Sequence, residues 1–157
     1  MLADPTLEMH DPPIVFNKLR FGHWENWPAE EQDAIRRYFL AAWKEFLQTN
    51  PEDCGLTDAD AWLCGIAQAE EDVQPYLAIW EDNKSVEAAR QLSILVVEHS
   101  FIQDDARPEN FWAKRKNQWA QVRAWLQGGA VRQILKSVAA INRDDRLKLA
   151  MQVLRVN

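Results

Sequence analysis

The residue types that build reactive centres are scarce in this chain of 157 residues. There are three histidines, His10, His23 and His99. None belongs to an H-x-x-x-H pair and none follows a glutamate at i−3, so the zinc-peptidase and di-iron bundle spacings are absent. The two cysteines, Cys54 and Cys64, stand ten apart with no C-x-x-C partner. That excludes the usual structural zinc pattern and is too little for a disulfide framework. Five glycines leave no Walker, dinucleotide-binding or nucleophile-elbow motif. The expectation is a protein without metal or cofactor.

Long apolar runs are missing too. The best candidate, Leu92 to Val97, contains Ser93 and stops at Glu98 and His99, far short of the roughly 20 residues of a membrane span. The first residues, MLADPTLEMHDPP, carry neither a basic nor an apolar leader segment. With so little cysteine, the expected location is cytoplasmic, with no membrane partner.

What the chain does have is tryptophan, eight in all. Each indole can bury on the order of 150–250 Å², so these residues are expected to carry much of the core. At this length one domain is expected, burying roughly 70% of the unfolded surface. The net charge of −6 is unevenly spread. Residues 1–100 hold 7 Lys+Arg against 19 Asp+Glu, and residues 101–157 hold 11 against 5. The plainest reading is that acidic and basic faces partly neutralise each other within one fold or are merely solvated; charge speaks to partners and solubility rather than to fold.

Hydrophobic periodicity is helical throughout. Residues 1–27, with Pro5, Pro12 and Pro13, are expected to form an irregular arm. Residues 28–48 place Ile35, Tyr38, Phe39, Ala42, Trp43, Phe46 and Leu47 on one stripe. Thr57 is expected to cap a second helix with Ala59, Trp62, Leu63, Ile66 and Ala67 inward, in a capping-box variant with Asp60. Pro75 opens a short third. Ser85 caps a fourth running to about Phe101, whose wide apolar face marks it as the central helix. Residues 111–127 form a fifth, ended by a left-handed cap at Gly128 or Gly129. A sixth carries Val131, Ile134, Leu135, Val138 and Ile141. Asp144 or Asp145 caps a seventh, with Leu147, Ala150, Met151 and Leu154 inward. The fold class is therefore all-α, about seven helices in a single domain over 1–157, as an orthogonal bundle or a short stack of antiparallel helical hairpins.

The string A-W-L-x-G-x-A occurs twice, at 61–67 and 124–130. Shifting the chain by 63 extends the match on neither side, so it is a coincidence of composition rather than a repeat. Gly65 falls inside a helix, where it costs about 0.5–1 kcal/mol relative to alanine. A glycine kept there points to close approach by a neighbour.

Two surfaces stand out as binding candidates. One is an acidic row at successive helix ends: Asp58, Asp60, Glu70, Glu71 and Asp72. It suits a basic protein partner, or the opposite face of a second copy. The other is the stretch 111–127, where Trp112, Lys114, Lys116 and Arg123 interleave aromatic and cationic groups. Such a pattern can contact phosphates and stack bases. Arg115, on the apolar line itself, is an alternative ion-pair partner for the acidic half. The leading expectation is a non-enzymatic protein–protein interaction module of adaptor or immunity type. The second is nucleic-acid binding through 111–127, which calls for an exposed tryptophan there. The third is a small hydrolase-type enzyme using His99 with nearby carboxylates such as Asp104 and Asp105.

Overall fold

A computed structural model describes residues 11–55, 57–98, 111–142 and 144–156. Among these there are eight α-helices and no strand: α1 Pro12–Phe21, α2 Ala29–Gln48, α3 Ala59–Ala69, α4 Gln74–Asp82, α5 Val86–Glu98, α6 Lys116–Gln127, α7 Gly129–Asn142 and α8 Asp145–Val156. The all-α expectation holds, with one helix more than the sequence suggested. The extra one is α1, in the stretch read as an irregular arm. Pro12 and Pro13 occupy its first two positions. There the missing N–H would have had no intrahelical acceptor anyway, and the fixed φ favours the helix.

A single hydrophobic cluster draws residues from every helix. At its centre lies α3, in which Trp62 through Ala69 are all buried. It is more enclosed than α5, the helix that the apolar pattern singled out. The reason is size: Ala61, Gly65, Ala67 and Ala69 let neighbours come close on several sides. Helix α1 lies directly on it. A Cβ at Gly65 would sit 2.7 Å from the Pro12 Cβ and 2.9 Å from the Phe16 ring. Gly65 is thus a packing device that admits α1.

Aromatic rings link the helices. Phe16 meets Trp62, Trp62 meets Phe46, Phe46 stacks on Trp43, Trp43 meets Trp80 edge-on, and Trp80 meets Trp125, all with centroids 5.3–5.9 Å apart. Most of these indoles also spend their N–H on a neighbour. Trp24 donates to the Ala69 carbonyl at 3.0 Å, Trp43 to that of Tyr76 at 2.9 Å and Trp80 to that of Ala88 at 2.9 Å. Each pins two segments distant in sequence and satisfies a group whose burial would otherwise be costly.

The caps at Ser85 and Asp144 follow the sequence reading, and others differ. Asp58, not Thr57, caps α3, accepting from the Ala61 N–H at 2.9 Å. Ser85 caps α5 through the Ala88 N–H at 3.1 Å. Asp144 caps α8 through Arg146 at 2.9 Å and binds Arg90 at 2.9 Å. Gly128 is extended (φ −74°, ψ 163°), so no left-handed cap ends α6. Residues 111–127 do not form one helix either. A 3-10 turn, Phe111–Lys114, is followed by a break at Arg115 (φ −125°, ψ 52°) before α6 begins. No helix of the described residues is long and apolar enough to cross a membrane.

Candidate functional site

Helix α3 ends in buried surroundings, so its last carbonyls need donors that water cannot supply. The basic stretch provides them. Arg115, itself buried, donates Nε to the Ala67 carbonyl and a terminal nitrogen to the Glu70 carbonyl at 2.8 Å. The same guanidinium reaches the Glu71 carboxylate at 2.9 Å. Gln118 adds bonds to the Glu71 and Glu70 carbonyls at 3.0 and 3.2 Å. At the other end of α3, Trp112 donates its indole N–H to Asp60 at 3.0 Å.

The two candidate surfaces therefore meet within the chain in part, through Trp112 and the neighbouring Arg115. Asp60 and Glu71 face Trp112 and Arg115. The hydrogen bond from Arg115 holds the Glu71 carboxyl below the usual carboxylate range. Glu70 turns instead towards Arg36 (3.5 Å) and the Tyr76 hydroxyl, which donates to it at 3.4 Å. Burial pushes its carboxyl up, against the pull of Arg36. Asp58 is the cap of α3, and Asp72 accepts from the Gln74 N–H at 3.0 Å at the start of α4. Lys114 and Lys116 are exposed and Arg123 is half-buried. Trp112, Trp119 and Trp125 are all buried, and Trp125 donates to Glu81 at 2.6 Å. The basic stretch thus offers cations to solvent but no tryptophan face. His99, Asp104 and Asp105, the residues of the enzyme reading, lie outside the described residues. No group of three metal-ligating side chains gathers among the described residues.

An open apolar surface lies elsewhere, on α1 and α2. Phe21 is 75% exposed and Tyr38 59%; Ile14 and Trp27 are exposed too, and Trp27 shares a groove with Tyr38. The sequence stripe of α2 directs Tyr38 inward. In the fold it stands out of the core, which Phe39, Trp43, Phe46 and Leu47 fill. Two concavities meet at Tyr38. A groove of about 640 Å³ runs between α1 and α2, walled by Val15, Leu19, Trp27, Ala34 and Ile35, with Lys18 its charged residue. A cavity of about 310 Å³ continues on the far side of Tyr38, over Ala42, Phe46 and Trp62, with Glu45 and Asp53 among its lining residues. On α2, Glu31, Ala34, Tyr38, Ala41 and Glu45 follow a 3-4-3-4 spacing, which places them on one line. Both ends of that line are acidic and its middle is small or aromatic, spanning about 21 Å at 1.5 Å per residue. The 3-4-3-4 line is legible in the sequence; that it faces solvent is not, because the apolar stripe beside it overlaps at Tyr38.

No family model, curated protein or solved structure matches the chain.

Proposed function

We propose that this protein is a non-enzymatic interaction module whose docking surface is the α1–α2 face. Its partner would be a segment of another protein, apolar in the middle and basic towards its ends. The carrying observation is the pair of apolar concavities that meet at exposed Tyr38. Adjoining exposed apolar side chains with a concave surface are a common mark of a protein contact.

Charge selects the occupant. The Tyr38 line ends in Glu31 and Glu45, with Asp53 near the latter. A two-fold copy would set acid against acid whichever way the helices ran: Glu31 on Glu45 if antiparallel, Glu31 on Glu31 if parallel. Like charges across a contact are unfavourable. At Glu31 and Glu45 a basic partner meets no such repulsion, and this is the charge of partner that the acidic half of the sequence suggested. The acidic row at the ends of α3 supports the reading indirectly. Its carboxylates are largely engaged in caps and in bonds to Arg36, Arg115 and Trp112.

The test is capture from lysate with three forms of the tagged protein, each with and without nuclease: wild type, Tyr38→Lys, and Lys114→Glu with Lys116→Glu. The expected result is a nuclease-resistant protein with a basic segment, lost with Tyr38→Lys and kept by the lysine variants. A partner lost only with the lysine variants, or nucleic acid that nuclease removes, overturns the reading and moves the function to 111–127.

A further inference from the structure

The larger groove, between α1 and α2, presents side chains and almost no free backbone. Its two walls are helices, whose N–H and C=O groups are bonded within each helix. The connection between them is engaged as well. The Gly22 carbonyl accepts the Trp27 indole N–H at 2.9 Å, and Gln32 donates to the carbonyls of Glu25 and Trp27 at 3.0 and 2.8 Å. Among the described residues there is no strand whose edge a segment could extend. An extended segment laid in this groove would bury its own N–H and C=O groups without partners, which is costly. A helix brings its backbone bonds with it and offers the groove side chains alone.

Charge is a second, independent constraint. Among the described residues that line the groove, Lys18 alone is charged, and the rest are apolar or aromatic. It is exposed and forms no ion pair with a described residue. The part of α2 that shares the groove with it runs from Ala34 to Phe39, between Glu31 and Glu45. Along this face the charges therefore alternate: an acid at Glu31, a base at Lys18, an acid at Glu45. An occupant basic over its whole length would be repelled at Lys18, and a purely apolar one would bring that ammonium no counter-charge.

We infer that the segment docking here is an amphipathic α-helix whose apolar face carries one acidic residue, opposite Lys18, between its basic ends. The inference rests on the docking reading and deepens it, giving the partner segment a conformation and a charge order. Apolar side chains of the helix, three and four positions apart, cover Val15, Leu19 and Ile35. The stem of Lys18 lies along that apolar contact while its ammonium meets the acid.

The experiment selects binders to the full chain from a displayed library of random linear peptides of about 18 residues, about 27 Å long as a helix. Sequences that bind wild type and not Tyr38→Lys are kept. They are expected to space apolar residues by three and four, with one Asp or Glu within the apolar face. The strongest is then synthesised and titrated. Lys18→Glu should weaken it by about fivefold, and exchanging its acid for lysine should restore binding to Lys18→Glu while weakening binding to wild type. Lys18 is exposed, and the indole N–H resonances of the variant report that it is folded. Kept sequences that alternate apolar and polar residues or are rich in proline overturn the helix. A peptide indifferent to Lys18→Glu overturns the charge order. In both cases the dependence on Tyr38 leaves the docking reading standing. A selection without any Tyr38-dependent sequence overturns that reading and the inference with it.

Discussion

Trp112 and Asp60, 52 positions apart, are joined by a 3.0 Å hydrogen bond from indole to carboxylate. Each had been a candidate for binding something else: Asp60 a basic partner, Trp112 a nucleobase. In the fold they bind one another. The charge asymmetry of the sequence is thus partly consumed inside the molecule, at the two ends of α3.

This pair is expected to be energetically coupled. Asp60→Ala leaves an indole donor in a buried place and should cost about 1–3 kcal/mol. Trp112→Phe in the Asp60→Ala background should then cost less than in the wild type. A double-mutant cycle by denaturant unfolding should give a coupling of about 0.5–3 kcal/mol; additive losses would show that the bond does not hold the stretch 111–114 to α3.

Arg115 is the polar centre of the same interface. Truncation strands the Ala67 carbonyl and leaves the Glu70 carbonyl to Gln118 alone, and Arg115→Ala is expected to destabilise by about 1–3 kcal/mol. Lysine cannot reproduce the fork that spans Ala67, Glu70 and Glu71. Arg115→Lys should therefore recover less than half of the loss in urea unfolding. Full recovery would mean that charge alone matters.

Gly65 carries the approach of α1 to α3. Gly65→Ala adds a Cβ within 3 Å of Pro12 and Phe16, and neither is a flexible chain end. The gain of about 1 kcal/mol in helix propensity is expected to be outweighed by overpacking of about 1–3 kcal/mol. Amide hydrogen exchange should quicken in residues 12–21 before it does in α5 or α7. Unchanged protection of α1 would contradict the packing role.

Two carboxylates should show opposite pH behaviour. The hydrogen bond from Arg90 holds the Asp144 carboxyl below its ordinary value. Its contribution is therefore present above the unfolded value, about 3.9, and is lost as pH falls through the folded one. Asp144→Asn keeps a capping side chain, so it should melt below wild type at neutral pH and converge with it in acid. Glu70 is displaced upward by burial. Its ionised form is a cost at neutral pH that disappears as pH falls through the folded value towards the unfolded one. Glu70→Gln should melt at or above wild type at neutral pH, with the difference shrinking in acid. Melting curves from neutral to about pH 3 check both; offsets independent of pH would contradict the assignment.

Helices with clear one-sided periodicity were legible in the sequence. Residues 28–48 give α2 almost to the residue, because their apolar spacing, acidic first turn and following proline agree. Helix α1 was hidden because consecutive prolines read as a break, although at the first two positions they start a helix. The break at Arg115 was hidden because an arginine on the apolar line matched the helical period, while its role is to leave the helix and bind α3. Tyr38 shows the limit for function. Periodicity says which residues share a face of α2, and only the docking of α1 and α3 decides how much of that face is left open.

The measurement that bears most directly on the docking account is hydroxyl-radical footprinting of the captured complex against the free protein. Phe21, Trp27 and Tyr38 are exposed and oxidisable in the free chain. The account predicts that the partner lowers their oxidation selectively, while that of peptides in α7 and α8 is unchanged. Protection centred on residues 111–127, with Tyr38 oxidised at the free rate, would contradict it.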